Sequence, residues 1–131
     1  MITDTDQFTD LEIFAKTLDG EAGDQGYLGQ QAVANVIMNR VRLQWQRETT
    51  VRGVCLHHAQ FSCWSPGADR DRIMMALEPQ CLEIAQRALD DTLPDITGGA
   101  DSYEVRGTGA YWAKNLTPAA AIGAHDFYIT A

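Results

Sequence analysis

Apolar residues recur at helical spacing in the first third of the chain. Leu11, Phe14, Ala15 and Leu18 mark one buried stripe. Thr9, followed three positions later by Glu12, has the form of a capping box, so a helix is expected to start there. Gly20 is its expected terminator, which leaves Glu21 at the helix end or just beyond it. The Gly-punctuated segment GEAGDQGYLG then leads to a second helix from Gln30 to Leu43, with Ala32, Val33, Val36, Ile37 and Val41 as its apolar face. Glu21 is therefore expected at the joint of a helix-loop-helix, where packed elements can hold an acid against a cleft.

Further along, QFSCWS (60–65) is aromatic but flanked by polar, Gly and Pro signals, which suggests a loop or short strand. A short helix is expected over Ile73–Leu77. Pro79 suits a first helical position and opens another helix, with Cys81, Ile84, Ala85 and Ala88 on one face. From Thr92 onward Gly, Pro and aromatic residues predict loops with short extended pieces, and the tail HDFYITA alternates like a strand. The expectation is one α+β domain over residues 1–131, mainly helical, with a polar lead-in over 1–8.

Charge narrows the function. The net charge is −8 and no Lys/Arg cluster is present, which argues against nucleic acid and against steering toward anionic lipid or wall polymers. No stretch of about 18 apolar residues occurs, so no membrane insertion is expected. The acidic N-terminus MITDTDQFTD lacks the form of a signal peptide. Three cysteines, Cys55, Cys63 and Cys81, cannot pair completely. Cys55, His57, His58 and Cys63 match no standard zinc spacing, so no metal or cofactor is expected.

Among the acids, Glu21 stands out because Gly20, Ala22 and Gly23 leave its surroundings accessible. Trp64, Trp112, Tyr103, Tyr111, Phe127 and Tyr128 supply flat faces and hydroxyls suited to sugar rings, although aromatic residues in a small domain also serve as core. Trp64 and Tyr103, in loop-like sequence, are the favoured cleft residues. His125 is suited either to orienting a substrate hydroxyl or to bonding a buried carbonyl. The nucleophile elbow G-x-S-x-G, a Walker pattern and H-E-x-x-H are absent. A thiol peptidase would use Cys63, but His57 and His58 lie closer in sequence than such a histidine usually does.

Five segments occur in order: GEA (20–22), GQQAVANVIMNRV (29–41), QFSCW (60–64), GA..Y (99–103) and IGAHDFY (122–128). Together they resemble the spore-cortex-lytic, SleB-type cell wall hydrolases, from about Leu11 to Tyr128. The resemblance implies a lysozyme-like fold related to lytic transglycosylases, peptidoglycan glycan strands as substrate, and Glu21 as catalytic acid. Gln60, Ser62, Trp64, Tyr103 and His125 become the expected substrate contacts, with Asn39 and Arg40 ranked as structural.

One departure bears on mechanism. The pattern often reads G-E-A-x-G-E, and this chain has Gln25 at the second glutamate, with Asp24 beside it. Without a second carboxylate, the two-carboxylate schemes of glycoside hydrolysis are closed and a lone-acid, anhydro-forming route remains. Two other classes stay open: a noncatalytic glycan-binding or virion-associated module, which Gln25 favours, and a cysteine-dependent amidase or peptidase. The expected setting is a monomeric phage or prophage endolysin, made in the cytoplasm and acting on the wall after release.

Overall fold

The computed structural model describes residues 4–57, 60–65 and 76–130. Helix α1 spans Asp10–Ala22, α2 Gly26–Arg42, α3 Val51–Leu56 and α4 Pro79–Leu89. Strands β1 (Ser102–Val105), β2 (Thr117–Ile122) and β3 (His125–Ile129) form an antiparallel sheet in the order β1-β3-β2.

The capping box at α1 is complete: Glu12 N–H donates to Thr9 Oγ1 at 3.1 Å and Thr9 N–H to Glu12 Oε1 at 2.8 Å. Its other end differs from the expectation. The helix runs through Gly20 to Ala22, and Gly20 is present because its backbone lies against another segment. A Cβ there would sit 2.8 Å from Cys63 Cβ and 2.9 Å from its Sγ. Glu21 is thus in the last helical turn.

Helix α2 begins four residues earlier than its apolar pattern predicts, at Gly26, whose φ of 73° turns the chain out of α1. Gly29 then takes the Gln25 side chain directly on its backbone, since a Cβ would lie 2.4 Å from Gln25 Cβ. Close packing overrides the poor helix propensity of glycine in this turn.

Two apolar clusters flank α2. Val33 and Ile37 join Ile13, Phe14 and Leu18 of α1, Val54 of α3 and Ile84 of α4 in the larger one. Ala32 and Val36 pack with Ala100 and Phe127 in the smaller one, against the sheet. Each large side chain so buried contributes about 1.5–3 kcal/mol, and burial on two sides makes α2 the spine of the fold. The Pro79 helix and the C-terminal strand follow the sequence expectation. The expected Ile73–Leu77 helix lies largely outside the described residues, and His58 does too. No helix among the described residues is long and apolar enough to cross a membrane.

A polar ladder on α2 fixes the loop that feeds β1. Gln31 Nε2 and Asn35 Nδ2 donate to Pro94 O at 2.9 and 3.1 Å. Asn39 Nδ2 donates to Ala100 O at 2.9 Å, and Arg40 Nε to Asp101 O at 2.7 Å. Spaced at helical repeats, these side chains align β1 beside the end of α1.

Candidate active site

At that junction Tyr103 of β1 donates its hydroxyl to Glu21 Oε1 at 2.7 Å. The Glu21 carboxyl is half-buried, and burial raises its pKa; the Tyr103 hydrogen bond and the Arg40 charge oppose the shift without cancelling it. Glu21 accordingly keeps its proton to higher pH than an ordinary glutamate, as a general acid must. Tyr103 itself is pushed well above its ordinary value by burial and by the neighbouring Glu21 charge, so it remains a neutral donor.

Glu21 lines two cavities. One, of about 490 Å³, is bordered by Gly20, Gly23, Asp24, Gln25, Val105, Ala124 and His125. The other, of about 560 Å³, is bordered by Arg40, Trp45, Gln46, Gln60, Phe61, Ser102, Tyr103 and Trp112. Among the described residues, Glu21 is common to both linings, and the other carboxylate lining either cavity is Asp24, which accepts from Gln25 Nε2 at 3.2 Å.

Gln25 has a structural task. Its Oε1 accepts from Ala124 N–H at 3.0 Å, tying the α1–α2 joint to the β2–β3 turn. Gly123, at φ 56°, has no Cβ that would crowd this oxygen.

The expected contact residues divide. Tyr103 and Gln60 share the larger cavity with Glu21, and His125 borders the smaller. Ser62 is exposed, outside the lining of both. The expectation of Trp64 on the cleft is corrected: it is 5% exposed, belongs to the larger apolar core, and donates its indole N–H to Thr17 Oγ1 at 2.8 Å. An internal hydroxyl for the indole N–H lets this tryptophan be buried.

His125 is also buried, and its Nδ1 has no hydrogen-bond partner among the described residues. Burial, aided by the Arg106 charge, lowers its pKa against the pull of Asp24, so the imidazole is neutral at neutral pH. Its ring meets the Tyr103 ring edge-on at 5.1 Å between centroids.

Sequence reasoning undervalued three residues. Arg40, besides holding Asp101 O, stacks 4.1 Å from the Trp45 ring centroid and faces the larger cavity. Trp45 lies in the polar stretch after α2, where an isolated indole was the available signal. Trp112, 42% exposed, occupies the wall where Trp64 was expected.

Cys55 is poorly placed for thiol chemistry. No disulfide joins the three cysteines, burial pushes the Cys55 thiol up to about 12, and His57 Nδ1 pairs with Glu48 Oε2 at 2.5 Å. A thiol held at such a pKa supplies little thiolate for a metal or for attack.

Residues 24–128 match the family model described as Cell Wall Hydrolase. The chain belongs to the cell wall hydrolase family. Among solved structures, this hydrolase is similar to the catalytic domain of the germination-specific lytic transglycosylase SleB from Bacillus anthracis. The two are 28% identical, the match covers 91% of this chain and 93% of that one, and the TM-score is 0.76. The catalytic domain of the Bacillus cereus SleB protein is also 28% identical, with 91% and 88% coverage and a TM-score of 0.77. No curated protein matches the chain by sequence. The hydrolase has the mixed, mainly helical, lysozyme-like fold that the sequence motifs implied, and the spore-cortex-lytic resemblance holds.

Proposed function

We propose that this hydrolase cleaves peptidoglycan glycan strands between N-acetylmuramic acid and N-acetylglucosamine as a lytic transglycosylase, with Glu21 as its single catalytic acid. The observation that carries the reading is the Glu21 carboxyl: held by Tyr103 at 2.7 Å, favoured in its protonated form by burial, and shared by two cavities. Similarity to the Bacillus anthracis SleB catalytic domain, a lytic transglycosylase, supports it.

Protonated Glu21 gives its proton to the glycosidic oxygen as the C1–O bond breaks, and N-acetylglucosamine leaves as the alcohol. The substrate's own acetamido group carries the positive charge developing at C1. Glu21, now a carboxylate, takes the proton from the muramyl 6-hydroxyl, whose oxygen closes on C1. The ring forms without water, and the acid returns to its starting state. Tyr103 and Arg40 stabilise the carboxylate between the two proton transfers. Gln25, tied to Ala124 and uncharged, takes no part in proton transfer.

Digestion of purified peptidoglycan followed by mass spectrometry tests the reading. Muramyl ends lighter by one water are expected from the wild-type protein and none from Glu21→Gln. Hydrated reducing ends would replace transglycosylation with hydrolysis, in which Asp24 is the available second acid. Full activity of Glu21→Gln would remove Glu21 from the mechanism, and wall sedimentation without cleavage by the wild type would make the protein a binding module.

A further inference from the structure

Resting on the reading of the cleft as a glycan site, we propose that Trp112 is the stacking platform that grips the strand in the larger cavity, on one side of the scissile bond. Trp112 borders the cavity that contains Glu21 and Tyr103, and leaves 42% of its surface exposed. Exposing an indole forfeits the favourable burial of a large apolar face. This exposed ring is nevertheless held in place.

Glu104 of β1 does the holding. Its Oε1 accepts from Ala110 N–H at 3.0 Å, just ahead of the helical turn Tyr111–Ala113, and its Oε2 accepts from Tyr128 Oη at 2.8 Å. The Tyr128 ring meets Trp112 edge-on, with centroids 6.2 Å apart and planes at 81°. Gly107 and Gly109, at φ 89° and 67°, bring the chain round from β1 into that turn. One carboxylate thus fixes both the turn that carries Trp112 and the ring against its edge.

A rigid, solvent-facing indole suits the C–H face of a pyranose. It buries apolar area while the sugar hydroxyls and acetamido group remain available to polar groups. Gln60 and Ser102 border the same cavity and supply such groups. Among the described residues, no Trp, Tyr or Phe lines the smaller cavity. Affinity for the strand is therefore concentrated on the Trp112 side.

Co-sedimentation with purified peptidoglycan sacculi tests this in the Glu21→Gln background, where binding is read without cleavage. Trp112→Ala should weaken binding about ten-fold, Trp112→Tyr should keep most of it, and the melting temperature should stay within a few degrees. Tyr111→Ala removes the neighbouring ring, which is 83% exposed and lies outside both cavities, and should leave binding unchanged. Unaltered binding by Trp112→Ala overturns the platform, as does an equal loss at Tyr111, which would mean general surface adhesion. Failure of the Glu21→Gln protein itself to sediment also overturns it, whereas the transglycosylase reading stands or falls separately on the anhydro products.

Discussion

Tyr103 Oη and Glu21 Oε1, from residues 82 positions apart in the chain, share a 2.7 Å hydrogen bond that joins the sheet to the end of the first helix. The tyrosine holds the carboxyl in one orientation and moderates the rise in its pKa that burial imposes.

Tyr103→Phe should therefore alter the pH dependence as well as the rate. The hydroxyl favours ionised Glu21, so its loss raises the Glu21 pKa further, and the acid stays protonated to higher pH. The alkaline limb of kcat/KM should move upward. Losing one positioning hydrogen bond, worth about 1 kcal/mol, should lower kcat about five-fold. A pH–rate series on solubilised glycan strands measures both, and an unmoved alkaline limb would contradict the coupling.

Glu21 should also cost the fold stability at neutral pH. Its folded pKa lies above the unfolded value, so its contribution is fully present below the unfolded pKa and is lost as pH rises through the folded one. Glu21→Gln, with no charge to bury, should melt higher than the wild type at about pH 8 and close to it at about pH 4. Calorimetry at the two pH values checks the sign; a gap independent of pH would mean that the carboxylate is not disfavoured by burial.

Gly20→Ala should destabilise the protein by about 1–3 kcal/mol, the usual range for overpacking. The new methyl would collide with Cys63, displacing either the 60–65 segment or the helix end that carries Glu21. Urea unfolding gives the stability change, and wall clearing should fall with it. A loss under about 0.5 kcal/mol would show that the two backbones have room to part.

Local patterning made α1, α2 and α4 legible but not α3, whose six residues are too few to show a helical repeat. The capping box at Thr9 and Glu12, the apolar stripes of α1 and α2 and the helix opened by Pro79 all follow from contacts within a few residues. The motifs containing Glu21, Tyr103 and His125 carried the family and the candidate acid. Glycine was the weak point, because one residue type serves both as a helix stop and as a site of close packing. Gly20 and Gly29 proved to be the second kind, which only the position of Cys63 and of Gln25 reveals.

The amino-acid sequence alone determined helices α1, α2 and α4, the position of Glu21 near the end of the first, and which family's motifs surround it, since these depend on residue type and short-range order. Tertiary structure decided which aromatic rings are core and which face the cleft. Trp64 is buried because Thr17, 47 positions away, accepts its indole hydrogen bond, and Trp112 is exposed because Glu104 holds its turn at the cavity wall. It also decided the state of Glu21, because a carboxyl's proton affinity depends on the solvent excluded and the charges brought near, and here Tyr103 and Arg40 arrive from distant parts of the chain.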